Sequence, residues 1–229
     1  MKDEGLTTTS YAVLAQVAVR PWSTYELAQQ RVRYFRYVWP RAESAIYREV
    51  KRLSALGLIR AKKEFTGKRA RTIYSITAAG KKELREWLAT PVSPFSMDCE
   101  AILRLFVAPL GTKEQILSTL AQTRVDAQDM LRFAGNVKQE FIEGINVTQE
   151  QVYLRAHAVD FFVSLLNMVD AWAERTSKEI ESWDDLTASP EKNERGMEIM
   201  RQLPVEPPAQ LAGEIAVPPK RQTRSRPRS

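Results

Sequence analysis

The run from Arg41 to Gly80 constrains the fold more than any other part of this 229-residue chain. It contains apolar residues that recur at helical spacing, namely Ile46, Val50, Leu53 and Leu56. This spacing predicts a helix with one core face, which Gly57 ends as a C-cap. Two strand-like segments follow, "LIRAKKEF" and "RTIYSIT", and the turn between them is rich in Lys and Arg. The run therefore predicts an amphipathic helix followed directly by an antiparallel hairpin.

Further helices are expected on both sides of this run. Residues 8–19 predict a first helix, which Pro21 stops because the residue before a proline is pushed out of helical geometry. Ser23 and Glu26 have the spacing of a capping box, so a second helix is expected to follow them. The third helix starts near Pro40, and a fourth, "AAGKKELREWL", follows the hairpin. Three helices and then a two-stranded hairpin are the order of a winged helix-turn-helix.

Charge is distributed unevenly along the chain. Residues 1–87 hold 18 Lys and Arg against 8 Asp and Glu, whereas residues 88–219 hold 11 against 20. The last ten residues, "KRQTRSRPRS", add five cations: Lys220, Arg221, Arg224, Arg226 and Arg228. A clustered positive field indicates a polyanionic partner, and a basic tail would add phosphate contacts that do not depend on sequence. The alternative is that these are ordinary solvated charges.

The helix from Pro40 is predicted to be the recognition helix, since the second helix of the turn motif enters the major groove of DNA. Its cationic and hydroxyl side chains lie off the apolar face, where they suit phosphate oxygens and base edges. The hairpin, or wing, would follow the DNA backbone with its basic tip. The predicted DNA-binding residues are Arg41, Ser44, Tyr47, Arg48, Lys51, Lys62, Lys63, Lys68, Arg69 and Arg71. The alternative is a solvated helix and hairpin that happen to be basic.

The rest of the chain is predicted to form a second module that is all helical. The segment "PVSPFS" (91–96) is a predicted linker between a winged-helix domain at 1–90 and a helical dimerisation domain at 97–183. Within 97–183 a short helix precedes a long one, which starts at the capping box "TKEQ" (112–115) and is predicted to break near Gly135. Another long helix covers about 148–182. Residues 184–229 are rich in proline and charge and are expected to be largely disordered.

The last long helix carries an unusually wide apolar arc. In "VDFFVSLLNMVDAW" (159–172), polar residues form only one narrow stripe, so one neighbouring helix cannot cover the apolar side. Either this helix is central in its own subunit, or a second subunit packs on it; the second interpretation is favoured. The predicted dimer interface is Val159, Phe162, Val163, Leu166, Val169 and Trp172. Phe161 and Trp172 are also candidates for an effector pocket, although aromatics at helical spacing are more often plain core.

Several classes of protein are disfavoured by composition. One cysteine, Cys99, and one histidine, His157, leave too few ligands for a zinc site, so no metal or other cofactor is expected. Catalysis is not expected either, because the sequence has no glycine-rich phosphate loop, nucleophile elbow or Cys/His cluster. No run of eighteen apolar residues and no signal peptide are present, which favours a cytoplasmic protein without a membrane partner. A lone cysteine suits a reducing compartment.

The motifs of residues 8–88 resemble those of the PadR family of bacterial transcriptional regulators. The resemblance rests on "ESAIYREVKRLSALGLI", on "RTIYSITAAGKKELREWL" and on the opening "TTSYAVLAQVAVRPWSTYELAQ". It is looser over 97–183 and does not extend to the tail. It implies a mainly α fold: an N-terminal winged helix-turn-helix with a two-stranded wing, and a C-terminal all-helical dimerisation module.

The resemblance also implies a function. It implies a homodimeric, repressor-like regulator that dimerises through its C-terminal helices and that a small-molecule effector often modulates. A twofold dimer is in turn expected to bind a pseudo-palindromic operator in double-stranded DNA. The alternative is a winged-helix module for protein–protein contact, with no specific operator. Salt-sensitive duplex binding separates the two interpretations.

Overall fold

The computed structural model describes residues 5–23, 25–27, 43–66 and 69–205. The described elements are mostly helices with one small antiparallel sheet. In chain order they are α1 (Thr8–Val19), β1 (Trp22–Ser23), α2 (Glu43–Ala55), β2 (Ile59–Thr66), β3 (Arg69–Ile76), α3 (Ala78–Leu88), α4 (Glu100–Phe106), α5 (Lys113–Ile142), α6 (Val152–Glu181) and α7 (Pro190–Gln202), with short 3-10 turns at Ala108–Leu110 and Gln149–Gln151.

The chain divides into two compact units. The first comprises Met1–Asp98 with Phe133–Val163, and the second comprises Cys99–Arg132 with Ser164–Ser229. The winged-helix elements from α1 to α3 lie in the first unit. Residues 91–99, which contain the predicted linker, have no regular secondary structure and are mostly exposed.

The core of the first unit is built from α1, β1, the helical residues 25–27, α2 and the start of β2. Its buried apolar side chains are Val13, Leu14, Val17, Trp22, Leu27, Val50, Leu53 and Ile59. Ile46 packs against this cluster, as its position on the predicted core face requires. Leu56, predicted on the same face, is instead 48% exposed, because α2 ends at Ala55 and the helical period ends with it. Gly57 follows with φ +69°, the left-handed C-cap expected there.

The sheet has three strands rather than the two of the predicted wing. Its order is β1-β3-β2, and both pairings are antiparallel. The added strand is two residues long, and Trp22 in it is buried and donates from Nε1 to the Gln16 carbonyl oxygen at 2.8 Å. The Arg20 guanidinium lies 3.5 Å from the centre of the same ring. Such a short strand has too few residues to show a period of two, so the sequence pattern did not indicate it.

The two predicted capping boxes are confirmed. Ser23 N donates to Glu26 Oε2 at 2.7 Å and Glu26 N donates to Ser23 Oγ at 3.2 Å. At the start of α5, Thr112 N donates to Gln115 Oε1 at 3.0 Å, and Gln115 N donates to Thr112 Oγ1 at 3.3 Å. Each pair satisfies backbone donors that a helix N-terminus otherwise leaves open. Of the helix predicted after Ser23, the structure describes only residues 25–27, which are helical.

The predicted break in the long helix near Gly135 is wrong. α5 runs without interruption from Lys113 to Ile142, since one exposed glycine costs a helix only about 1 kcal/mol and leaves its hydrogen bonds intact. The core of the second unit lies between α5 and α6 and consists of Ile116, Leu120, Ala173 and Ile180. Ile145 is 65% exposed because it follows the end of α5.

The expectation of a largely disordered segment from residue 184 is wrong for α7. Ser189 caps this helix by accepting from Lys192 N at 3.2 Å, and Pro190 occupies the first turn, where its missing N–H costs nothing. Ion pairs Arg195–Glu198 at 2.8 Å and Arg201–Glu194 at 2.9 Å add support along the helix. Proline is therefore a start signal here. Residues 206–229, with the basic tail, lie outside the described residues.

Candidate nucleic-acid interface

Helix α2 presents a polar and cationic face to solvent while its other face is buried. Ser44, Tyr47, Arg48 and Lys51 are all exposed, with Tyr47 at 39%, whereas Val50 and Leu53 are at 1% and 0%. The spacing of these residues explains the split, since positions three and four apart share a helix face. The predicted outward orientation of the four residues is confirmed. The apolar anchors fix which way they point.

A buried polar network holds α2 against α1. Ser10 Oγ donates to Glu49 Oε1 at 2.5 Å, and Arg52 Nη1 donates to the same oxygen at 3.2 Å. Arg52 also donates to Ser10 Oγ at 3.3 Å and to the Gly5 carbonyl oxygen at 3.3 Å. Glu49 is only 7% exposed, so its carboxylate depends on these partners. The network therefore sets the rotation and axial position of α2, and no local sequence pattern predicted it.

The wing consists of β2 and β3, paired from Ile59 opposite Ile76 to Thr66 opposite Arg69. Alternate residues of a strand share a face, and opposed residues of two strands do too. Lys62, Glu64 and Arg71 therefore lie on one face of the hairpin, and Lys63 lies on the other. Lys62, Lys63 and Arg71 are all exposed.

An acidic residue sits among the wing cations. Glu64 lies 3.6 Å from Lys62 Nζ and 3.7 Å from Arg71 Nη2. Exposed pairs at these distances are weak, so phosphate oxygens can replace the carboxylate as partners. Arg60, which was not among the predicted contacts, lies on the same face and donates from Nε to Ser75 Oγ at 2.9 Å. The sequence "RAKKE" could have indicated this, because Arg60 precedes Lys62 by two residues and alternate residues of a strand share a face.

Three of the predicted contact residues fall wholly or partly outside the described residues. Arg41 and Lys68 lie outside them, and so does the side chain of Arg69, whose backbone begins β3. The tip of the wing therefore stays a sequence-based prediction.

The wing is fixed to the helices at its base. Thr77 caps α3 by accepting from Gly80 N at 3.1 Å, and its hydroxyl also lies 2.7 Å from the Gly57 carbonyl oxygen. Tyr11 of α1 donates to Glu83 of α3 at 2.8 Å and stacks on Trp87 with ring centres 4.8 Å apart. Burial and this hydrogen bond raise the pKa of the Tyr11 phenol above its ordinary value. The exposed α2 face and the hairpin thus belong to one packed body.

The predicted interface residues on α6 are covered to different degrees. Val159, Phe162, Val163 and Val169 are half-buried, whereas Leu166 is buried at 7%. Trp172, also a candidate effector contact, packs against the core of the second unit, and Phe161 is 51% exposed. Other apolar residues of α6 are more open: Tyr153 at 67%, Leu154 at 62% and Met168 at 49%.

The side chains that could ligate a metal are dispersed. Within the described ranges, no group of three or more His, Cys, Asp or Glu is arranged to hold an ion. Cys99 is half-buried at the N-cap of α4, and His157 is exposed on α6. The chemistry available at the α2 face and wing is that of hydrogen-bond donors and cations, which suits phosphates and the edges of bases.

Residues 13–86 match the transcriptional regulator PadR-like family. Over 85 residues the chain is 31% identical to the probable transcriptional regulator Rv1176c of Mycobacterium tuberculosis. That alignment covers 37% of this chain and 45% of the relative, so the chain spans less than half the length of the curated protein it matches.

Solved structures share the fold. PadR of Bacillus subtilis in complex with operator DNA has a TM-score of 0.65 at 17% identity, covering 77% of this chain and 99% of that one. The same Bacillus subtilis protein in complex with p-coumaric acid has a TM-score of 0.57 at 16% identity, covering 78% and 100%. The winged-helix fold predicted from the sequence is therefore confirmed, with helices following it as in these relatives.

Proposed function

We propose that this chain, whose residues 13–86 form a PadR-like domain, is a homodimeric repressor that binds a roughly palindromic DNA operator. The observation that carries the proposal is the exposed face of α2, where Tyr47, Arg48 and Lys51 stand on a helix fixed by a buried core. A rigid helix with such a face fits the major groove, and the cations of the adjoining hairpin fit the flanking phosphates. PadR of Bacillus subtilis, whose solved structure has the same fold, is in complex with operator DNA, which supports DNA as the partner of this chain.

Dimerisation is proposed to occur through α6. Leu154, Phe161 and Met168 are each seven residues apart, so they lie on one seam of the helix, and each is about half exposed or more. Exposing these apolar side chains to water is unfavourable, and a second copy of the chain packed on α6 would bury them. Two copies related by a twofold axis would present two α2 helices to two half-sites about one helical turn, roughly 34–36 Å, apart.

α6 with the preceding turn is also long and apolar enough to cross a membrane, by length and composition only. A helix covered by a partner subunit has a similar composition, and Asp160 and Asp170 on α6 disfavour hydrocarbon. We therefore propose that the protein acts in the cytoplasm, with its partner helix rather than lipid on this face.

The proposal is tested by selecting bound sequences from a random duplex pool at about 150 mM salt, where counterion release weakens non-specific binding. An inverted repeat with half-sites near one turn apart is expected. The double substitution Tyr47→Ala with Arg48→Ala should then lower affinity for that sequence at least about thirtyfold, because each of the two lost contacts contributes roughly 1–3 kcal/mol. Lys138→Ala, an exposed cation on α5, is the control and should bind normally.

Two results would contradict this assignment. If the double variant binds the selected operator as well as the parent does, α2 is not the recognition helix. If no sequence is enriched with or without a candidate effector, the basic winged helix meets a protein surface rather than DNA. Circular dichroism of the double variant checks that the fold is kept.

The dimer has its own test. Phe161→Glu should convert the protein to a monomer in sedimentation velocity, since it places a charge on the seam. Asn167→Glu introduces the same charge on the exposed polar stripe of α6 and should leave the dimer intact. Equal sedimentation of the two variants, both as dimers, would place the interface elsewhere. An effector is proposed to act by shifting the population of dimers whose helix spacing fits the operator.

A further inference from the structure

The second unit contains a cleft of about 920 Å³ that the proposed DNA interface does not use. Trp172, Ile180 and Trp183 line it from the α6 side, and Ile199 and Leu203 line it from α7 and its end. Its volume falls in the range of ligand-binding cavities, roughly 300–1,000 Å³, whose walls are mainly apolar and aromatic. The α6 wall is held in place by packing, because Ile180 belongs to the buried core and both tryptophans pack against that core.

The α7 wall holds two apolar side chains beside Lys192 and Arg195, and both apolar side chains are largely uncovered. This helix has no buried residue, and Ile199 and Leu203 remain 44% and 46% exposed although they line the cleft. Polar contacts hold it in place: Arg195 lies 3.2 Å from Glu179 of α6, and Lys192 lies 3.0 Å from Asp185. An apolar molecule in the cleft would bury this surface and so gain free energy in proportion to the area removed from water.

The charged residues of the cleft are mostly positive. Four cations and one acid line it, although residues 88–219 as a whole carry 20 acidic against 11 basic residues. Three of the cations already face carboxylates, including Lys178 with Glu174 at 2.8 Å. The fourth, Arg175, is exposed and makes no ion pair or hydrogen bond with any residue that the structure describes. A guanidinium so placed is available to a carboxylate or sulfonate.

We propose that this cleft binds an organic anion with a bulky apolar body, whose acid group pairs with Arg175 and whose body lies between the tryptophans and α7. The two walls supply the apolar contact, and the guanidinium of Arg175, the one lining cation without a carboxylate partner among the described residues, selects for a negative group. Binding at this place involves residues of the second unit alone. It therefore stands or falls separately from DNA binding.

Charge also argues against the other possible occupants. The last ten residues of the chain are basic and contain no acid, so they offer no carboxylate to the guanidinium of Arg175. A second copy would bring a second Arg175 guanidinium to the same place without a new carboxylate for either, which disfavours a twofold contact through the cleft. A small anion meets neither objection.

The test uses the full chain and two fluorescent probes of nearly the same shape, anilinonaphthalene sulfonate and its neutral parent N-phenylnaphthylamine. The sulfonate is expected to bind saturably at one site per chain. Arg175→Glu should weaken the sulfonate at least about tenfold and the neutral probe less than about twofold, because only the sulfonate uses a charged contact. Arg85→Glu, the same change at an exposed position of α3 that does not line the cleft, is the control.

A second variant tests the location. Gly196 lines the cleft, and a Cβ atom added there would have nothing within 4 Å, so Gly196→Trp should fill the cleft without disturbing α7 and abolish binding of both probes. Met200→Trp, on the same helix but outside the cleft and 63% exposed, should bind both normally. The proposal is overturned if the parent binds neither probe, if Gly196→Trp keeps both sites, or if Gly196→Trp changes the sedimenting species, which would make the cleft a subunit interface.

Discussion

Replacing Gly80 by alanine should destabilise the winged-helix elements strongly. Gly80 is buried in the first turn of α3, where a Cβ atom would lie 2.2 Å from the Leu58 carbonyl oxygen and 2.9 Å from Ile76 Cγ1. Real Cβ atoms essentially never approach within 3.0 Å, so α3 or the start of the wing must move. In the sequence Gly80 is only one position of a motif, whereas the structure shows that a side chain at this position would clash with the backbone of Leu58.

The size of this stability loss follows from the hydrogen bonds that the Leu58 carbonyl oxygen accepts. Leu58 O accepts hydrogen bonds from Thr77 N at 3.1 Å and Thr77 Oγ1 at 3.0 Å, so moving it weakens both. Overpacking of this kind costs about 1–3 kcal/mol, and each weakened hydrogen bond adds roughly 0.5–1.5 kcal/mol. Alanine returns about 1 kcal/mol of helix propensity. The net loss expected is about 1–5 kcal/mol, or a fall in Tm of at least roughly 4 °C.

Gly135→Ala is the matched control, because it makes the same chemical change where there is room. Gly135 is exposed inside α5 and has nothing within 4 Å of an added Cβ, so alanine should stabilise by about 0.5–1 kcal/mol. Urea unfolding followed by circular dichroism and tryptophan fluorescence measures both variants. If Gly80→Ala is neutral or stabilising, α3 does not press on the Leu58 carbonyl as described, and the steric account is refuted.

Three further outcomes are expected from the contacts around α1 and α2. Glu49→Gln should lower the free energy of unfolding by about 1–3 kcal/mol, measured in urea, because a buried carboxylate with charge-assisted partners is lost. Gly57→Ala should cost about 1 kcal/mol by calorimetry, since φ is +69° there. Tyr11 has a raised phenol pKa, so the stability it contributes is present below pH 10.0 and is lost as pH rises through the folded pKa. Tyr11→Phe should therefore show a smaller loss of stability between neutral and strongly alkaline pH; equal losses would contradict the assignment.

Local signals predicted most of the winged helix correctly. The periods of α2, the alternation of β2 and β3, and both capping boxes are properties of residues within a few positions of each other, so a single sequence carries them. Ser10 and Glu49 are 39 residues apart, and nothing local to either shows that they meet. Glu49 gave one overlooked hint, because a charged residue next to the core face of a helix needs a partner.

The wrong predictions at Gly135 and after residue 184 come from residue types that are compatible with two different structures. Proline and charge after residue 184 suggested disorder, but Ser189 followed by Pro190 is also a common helix start, and the structure uses it that way. Gly135 suggested a break, yet glycine breaks a helix only where a turn or a left-handed conformation is required, as at Gly144 with φ +72°. The cleft of the second unit depends on α7, so it could not be predicted from a sequence in which that segment was expected to be disordered.

The division of charge along the chain links the proposed dimerisation to the proposed DNA binding. Two copies of an acidic C-terminal module repel each other, so contact between them has to come from uncharged surface, which is what the seam of Leu154, Phe161 and Met168 offers. Salt screens that repulsion and strengthens apolar burial, whereas it weakens the contacts of the basic N-terminal unit with phosphates. Salt should then favour the dimer and disfavour the DNA complex. At high protein concentration, where the proposed dimer is already complete, salt should only weaken operator binding. At low protein concentration salt also promotes dimer assembly, so the affinity for the operator should fall less steeply with salt.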